Sequence, residues 1–356
     1  MAEAQQAWAR VAICILNWNG WRDTIACLES VRQLDDPNFL TVVVDNCSLN
    51  DSAEQIKAWA RGNFGPRHVM AEYDRKTALA GGETGSEESL EGMDCADRLV
   101  IVQNEENLGF AGGNNVAIRY ALHRPRPADF VFLLNNDAKA HPNCLTRLVA
   151  AGQECGAGIV GAVVMDESGK NVIFGGVAPF RRQFLGPLLD WQLPPPAPPT
   201  PFWSSFFVPG TAMLISKPLL EAVHSAHGYY LIDTLFMYGE EFPLCFYADR
   251  GGFKAIQVRD ALVYHKGGAS TGRRLNPMSS YYHQRNGILN ANKFLPPVWK
   301  CLFHLVAFPA FVGRVLKHLS SRRFRTTHAI LCGAYDGYRG KEGKWKHHDE
   351  AYLQGR

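Results

Sequence analysis

Short apolar runs rich in β-branched residues recur along the first part of the chain, and each stops at a polar turn. Val11-Ala12-Ile13-Cys14-Ile15-Leu16-Asn17 reads as a buried strand that ends in Asn17-Trp18-Asn19-Gly20 and leads into a helix over 22–34. Leu40-Thr41-Val42-Val43-Val44 repeats the pattern and is stopped by Asp45-Asn46-Cys47-Ser48, where Ser48 or Asn50 can cap a helix over 51–61. Strand-like runs at 99–103 and 130–134 flank a helix near 114–123. This alternation predicts an α/β fold, a mostly parallel Rossmann-like sheet flanked by helices, with ligands at the carboxyl ends of its strands.

Three stretches depart from the pattern. The acidic, glycine-rich 74–98, containing Gly81-Gly82-Glu83-Thr84-Gly85-Ser86-Glu87-Glu88, has no period and reads as a mobile surface insertion. Leu193-Pro194-Pro195-Pro196-Ala197-Pro198-Pro199 suits neither a helix nor a central strand and reads as an extended connector. Past Tyr281, residues 296–330 carry Lys300, Arg314, Lys317, Arg322, Arg323 and Arg325 but no acid, interleaved with Trp299, Phe303, Phe308 and Phe311. That predicts amphipathic helices. Interrupted by Lys300, His304 and Arg314 and broken at Pro309, the run is poorly made to span a bilayer; it is suited to lie on an anionic membrane surface, the alternative being ordinary packing. The expected division is a main domain over 1–280 and a helical, basic-aromatic extension over 281–356.

Composition narrows the classes. With 46% hydrophobic and 20% charged residues the chain is globular, and a net charge of +3 without a long basic run argues against a nucleic-acid partner. Nine scattered cysteines, without a CxxC pair, read as reduced thiols of a cytoplasmic protein. Met1 to Arg10 lacks the apolar core of a signal peptide, so the expected location is cytoplasmic, with a peripheral hold on the inner face of the cell membrane through the C-terminal stretch.

Candidate chemistry gathers at the strand ends. Asn17 to Asn19, Asp45 and Asn135 to Asp137 should lie along one sheet edge, where Asp45 can accept from a base or ribose hydroxyl or simply cap a helix. Asn107-Leu108-Gly109-Phe110-Ala111-Gly112-Gly113-Asn114-Asn115 places three glycines before a helix and can offer N–H groups to a phosphate. It is neither GxGxxG nor a Walker loop. Phe130-Val131-Phe132-Leu133-Leu134-Asn135-Asn136-Asp137 delivers a carboxylate to a strand end, where one Asp together with a substrate diphosphate and waters suffices for Mg²⁺ or Mn²⁺. Glu240 and Glu241 precede a helix; the pair can complement the helix dipole, or one can act as a general base on an acceptor hydroxyl. His265 is either a further metal ligand or a core histidine.

Asn17-Trp18-Asn19-Gly20, Val43-Val44-Asp45-Asn46, Asn107-Leu108-Gly109-Phe110-Ala111-Gly112-Gly113-Asn114, Leu134-Asn135-Asn136-Asp137 and Tyr238-Gly239-Glu240-Glu241 follow one another in this order. In this the chain resembles bacterial glycosyltransferase family 2, rhamnosyltransferase-like branch, from about residue 10 to 292, through Tyr264-His265-Lys266-Gly267-Gly268-Ala269-Ser270 and Tyr281-Tyr282-His283-Gln284-Arg285-Asn286. The resemblance implies a GT-A fold and an inverting transfer from a UDP- or TDP-sugar, metal-bound through its diphosphate, to a saccharide or lipid-linked acceptor. It implies nucleotide contacts from Asn17, Asn19, Asp45, Asn107, Gly109, Gly112, Asn114 and Asn136, and metal ligation by Asp137 and His265. Glu241 is implied as the base, with Glu240 as its substitute, and Gly210 and Thr211 as pocket residues. Trp203, in a specificity loop over 178–205 with Phe180, Arg181, Arg182 and Trp191, can stack on a sugar or pack. Where the family has Glu-Asp-x-Asp, this chain has Glu240-Glu241-Phe242-Pro243, one methylene longer at the base and lacking the second acid. A degenerate nucleotide-sugar-binding subunit without catalysis is therefore the alternative, and a homodimer is compatible with either reading.

Overall fold

The computed structural model describes residues 8–63, 70–176, 199–267 and 276–349. The expected connector at 193–199 falls almost wholly outside them, as do Phe180, Arg181, Arg182 and Trp191. The sheet's parallel core follows the apolar runs: β1 (Val11–Asn17), β2 (Phe39–Asp45), β3 (Ala71–Asp74), β4 (Leu99–Gln103) and β5 (Phe130–Leu134). Then come β6 (Ala138–Ala140), β7 (Ala157–Asp166), β8 (Val172–Phe174), β9 (Phe202–Ser204), β10 (Ala212–Ser216) and β11 (Lys254–His265). Their order across the sheet is β3-β4-β2-β1-β5-β10-β7-β11-β6, with β8 on β7 and β9 on β11. β10 runs antiparallel between β5 and β7, the one reversed strand inside the sheet's middle.

Helices cover both faces. Against one pack α1 (Trp21–Val31), α2 (Ser52–Asn63) and α6 (Cys144–Cys155), through Leu28, Ile56 and Leu148 on Ile13, Val43 and Phe132. Against the other pack α5 (Gly109–His123), α7 (Lys217–His227) and α8 (Glu241–Arg250), through Ala117, Leu219 and Leu244 on Val42, Val131 and Met213. Burial on both faces is why these strands are continuous apolar runs rather than alternating ones. The carboxyl ends of β1 and β2 lie level, Asn17 opposite Asp45.

Two expectations are corrected. Residues 74–98 are not an aperiodic insertion: they hold α3 (Arg75–Leu79) and α4 (Thr84–Glu91), folded around the buried carboxylate of Glu87. Glu87 accepts from the Tyr73 hydroxyl at 3.0 Å, the Tyr120 hydroxyl at 2.7 Å and the Arg124 Nε at 2.8 Å. No hydrophobic pattern announces such a centre. Glu87→Ala leaves two buried hydroxyls without their acceptor and Arg124 with Glu91 alone, 2.9 Å away, so it should lower the unfolding free energy by about 3 kcal/mol, read by urea denaturation.

The second correction concerns Pro309. The C-terminal layer is α9 (Pro277–Phe294), α10 (Pro297–Ser320) and α11 (Phe324–Tyr338), and α10 runs through Pro309 without ending. The proline sits on an exposed side of the helix, where the carbonyl it leaves without an N–H partner can face water. α9 lies between α11 and the loop ahead of α8, and Tyr281, Tyr282 and Arg285 are fully buried there.

Candidate active site

The strand ends form a hydrogen-bonded row. Asp45 accepts from the Asn17 amide at 2.6 Å and from the Ser48 N–H and hydroxyl at 3.0 and 2.6 Å. Ser48 also receives the Asn19 N–H at 2.9 Å, while Asn50 caps α2, accepting from the Ser52 N–H at 3.1 Å. Thr24 donates to the Asn17 carbonyl oxygen at 2.8 Å and receives the Asn136 amide at 3.1 Å. Asn17, Asn19, Asp45 and Asn136 are thus brought together at one end of the sheet.

The glycine-rich segment does something other than expected. Asn46 is its hub, donating to the Asn107 side chain and the Gly109 carbonyl at 3.0 and 2.9 Å and accepting from the Leu108 N–H at 3.1 Å. The Gly109 N–H is held by Asn107, and the N–H groups of Phe110 and Ala111 both donate to the Phe236 carbonyl, at 2.6 and 3.4 Å. These amides are spent inside the protein rather than presented to a phosphate. Gly109, at φ +73°, lets the backbone approach this close, since a Cβ there would collide with the Phe236 carbonyl. Gly112 passes Leu108 with no room for a Cβ, and the Asn114 amide returns to the Phe110 carbonyl at 2.9 Å. The segment docks α5 onto the loop that leads to Glu240.

Asp137 and His265 meet because β6, which starts immediately after Asp137, pairs antiparallel with the end of β11, Ala138 opposite His265. The His265 Nε2 lies 2.9 Å from the Asp137 Oδ1; the imidazole is buried and the carboxylate partly open. Beside them is a cavity of about 310 Å³ lined by Asp23, Asp137, Lys139, Glu167 and Lys266. Among the described residues no third His, Cys, Asp or Glu joins the pair into a metal cluster. One carboxylate oxygen and one imidazole nitrogen, side by side at an open edge, fit an ion that takes its remaining ligands from a diphosphate and water.

Gly210 and Thr211 link this pair to the acids. The Thr211 carbonyl accepts from the Asn135 N–H at 3.0 Å, and the Gly210 N–H donates to the Glu241 carboxylate at 3.1 Å. A Cβ on Gly210 would press on the Phe110 ring and on Glu241. Glu240 is buried with one carboxylate oxygen unpartnered among the described residues, whereas Glu241 is partly open. Burial and the neighbouring charge of Glu241 raise the Glu240 carboxyl well above the usual range, and burial also raises Glu241. Such a pair gives up its two protons in separate steps, the second delayed by the charge left by the first. Trp203 is not drawn in: it stands on β9 beneath the Arg259 guanidinium, 5.7 Å from its ring centre.

Sequence reasoning missed the loop that carries these acids. Phe236, at φ 68° and ψ −60°, closes a γ-turn in which the Met237 N–H donates to the Leu235 carbonyl at 2.9 Å, and Tyr238 follows at φ 64°. Both conformations are strained for side-chain-bearing residues. α9 holds them in place: the Asn286 amide donates to the carbonyls of Leu235, Met237 and Tyr238 at 3.0, 2.8 and 2.7 Å. Arg285 donates to Leu235 at 2.7 Å and Asn290 to Gly239 at 2.8 Å. The Tyr238 hydroxyl is pushed up to about 12 by burial and then by the charges of Glu240, Asp137 and Glu241. Asn286→Ala should free the loop and lower kcat by roughly 10- to 100-fold, with rescue by Asn286→Gln incomplete because reach matters at this scale.

The strand ends of this GT-A sheet thus gather a carboxylate–imidazole pair and a paired acid. The family model described as Glycosyl transferase family 2 matches residues 85–223, which include the Asn107–Asn114 and Leu134–Asp137 motifs. The Low-salt glycan biosynthesis hexosyltransferase Agl10 of Haloferax volcanii is 23% identical over 252 residues, covering 70% of this chain and 78% of that protein. Among solved structures, the mannosyltransferase PcManGT from Pyrobaculum calidifontis, in complex with GDP-Man and Mn²⁺, superposes with a TM-score of 0.54 at 15% identity, covering 94% and 88% of the two chains. S. aureus TarS 1-349 in complex with UDP-GlcNAc gives a TM-score of 0.52 at 15% identity, covering 98% and 92%.

Proposed function

We propose that this protein is an active, inverting, metal-dependent transferase that moves a hexosyl or deoxyhexosyl group from a nucleoside-diphosphate sugar to a hydroxyl of a saccharide or lipid-linked acceptor. The observation that supports this reading is the short link between Asp137 and Glu241: two residues before Asp137 the Asn135 N–H donates to the Thr211 carbonyl, and the adjacent Gly210 N–H donates to the Glu241 carboxylate. Asp45, Asn17 and Asn19 hold the nucleoside, and Asp137 and His265 hold Mg²⁺ or Mn²⁺. That ion, when bound, neutralises the charge developing on the departing diphosphate.

Glu241 takes the proton of the acceptor hydroxyl while its oxygen forms the new bond to the anomeric carbon, on the face opposite the breaking bond to the diphosphate. The Gly210 N–H fixes one Glu241 oxygen and leaves the other for the acceptor. Glu240, more deeply buried, keeps its proton and so spares the base a like charge beside it. The extra methylene of Glu241 relative to aspartate is accommodated by Gly210, whose missing side chain makes room for the carboxylate.

Incubation with Mn²⁺ and a panel of UDP-, GDP- and TDP-sugars tests the reading: one donor should yield free nucleoside diphosphate above the no-enzyme rate. Manganese-dependent nucleotide binding with no release from any donor, even with membrane extract as acceptor source, would favour the non-catalytic subunit instead.

A further inference from the structure

α10 and α11 each turn an apolar stripe to the outside. On α10 the exposed large apolar side chains are Val298, Leu305, Phe308, Val312, Leu316 and Leu319, from 37% to 77% exposed. At 100° per residue they fall within an arc of roughly 80°. On α11, Phe324, Leu331, Tyr335 and Tyr338 do the same within roughly 60°. A soluble surface seldom carries apolar side chains in such a register without a partner for them.

The chemistry around the stripe selects that partner. Between Asp260 and Asp336 the sequence contains no acid, while the same stretch contains eleven Lys and Arg residues. A second copy of this face would bring like charges together, whereas an anionic lipid surface takes both the apolar stripe and the basic surround. By length and composition α10 could cross a membrane. Its other side, however, is tied to the fold: His304 bonds Asn292 and Tyr338, Arg314 donates to Gln284 at 2.7 Å, and His318 is buried. A helix held along one side in this way lies in the plane of the bilayer.

We propose that the α10–α11 face docks the protein on the surface of a bilayer containing anionic lipid, α10 lying flat with Leu305, Phe308, Val312 and Leu316 in the acyl boundary. α9, which packs beneath this face, is the helix whose Asn286 and Arg285 hold the 235–239 loop. Docking therefore sets the loop ahead of Glu241 one helical layer from the lipid.

The test is co-sedimentation of the full chain with phosphatidylcholine vesicles and with vesicles that also contain phosphatidylglycerol, followed by light scattering of the free protein. Wild type should pellet with the anionic vesicles, and Leu305→Glu/Phe308→Glu/Leu316→Glu should bind at least about tenfold more weakly with an unchanged circular dichroism spectrum. Should that variant unfold, Lys317→Ala/Arg322→Ala/Arg323→Ala serves instead, with a loss of roughly tenfold or more on anionic vesicles only. Wild type remaining in the supernatant, or variants binding as wild type, would overturn the proposal. A dimer that the glutamate variant dissolves would likewise overturn it and assign the face to a second copy. None of these readouts depends on sugar transfer.

Discussion

Glu241→Gln is expected to cut sugar transfer by orders of magnitude and to leave nucleotide binding in place. The substitution keeps the side chain's length and its oxygen for the Gly210 N–H, and removes only the capacity to take a proton. Loss of a positioned general base costs about 10²–10⁴-fold in rate, so kcat should fall by that factor while the Kd for nucleoside diphosphate with Mn²⁺ stays within about twofold. The sign of the pH dependence follows from the raised carboxyl. Glu241 is active only when deprotonated, and burial lifts its titration above the ordinary glutamate range, so kcat/KM climbs as pH rises through that shifted value. Glu240→Gln, uncharged like the protonated Glu240 it replaces, should leave this acidic limb where it is. A profile flat from acid to neutral pH in wild type would contradict the assignment.

Asp137→Ala is expected to empty the proposed metal site. His265 and Asp137 are the two protein ligands in the proposed site, and a lone imidazole holds Mg²⁺ or Mn²⁺ far more weakly than the pair. Mn²⁺ affinity in the presence of nucleoside diphosphate, followed by electron paramagnetic resonance, should drop by roughly 100-fold or more, a loss of about 3 kcal/mol, and transfer with it. His265→Ala should weaken Mn²⁺ less, because the hard carboxylate carries the charge. Equal Mn²⁺ binding in wild type and Asp137→Ala would place the ion elsewhere.

These consequences were partly legible in the sequence, for definite reasons. Strands buried on both faces are unbroken apolar runs, so β1, β2, β4 and β5 and the polar residues at their ends could be read directly, along with the α/β class. β7 was harder, because Gly158 and Gly161 dilute its run; Gly161 is there to admit the Gln257 side chain from the neighbouring strand. The glycines at 109–113 were read as room for a phosphate, but glycine records only that something comes close, and here it is the Phe236 carbonyl. Glu87 shows the opposite blindness: in 74–98 the organising element is a buried carboxylate with three donors, and the short helices around it have no long apolar period. Nor could the strained 236–239 loop be seen, since its restraint comes from Asn286 some fifty residues on, 2.7–3.0 Å from the carbonyls of Leu235, Met237 and Tyr238. Tyr281-Tyr282-His283-Gln284-Arg285-Asn286 was legible as a motif; that it props the loop ahead of Glu240 was a fact of the fold.

Likeness to family 2 glycosyltransferases and catalysis by this chain are separate claims, and the second turns on the departure at Glu240-Glu241-Phe242-Pro243. The most direct measurement is a side-by-side assay of wild type and Glu241→Gln with the one donor that gives release, following nucleoside-diphosphate formation and nucleotide binding in the same samples with Mn²⁺ and with EDTA. Turnover in wild type, at least about 100-fold less in the variant, none with EDTA, and equal nucleotide binding in both proteins with Mn²⁺ is the predicted result. Equal turnover in the two proteins, or turnover undiminished by EDTA, would contradict a metal-dependent transfer with Glu241 as its base.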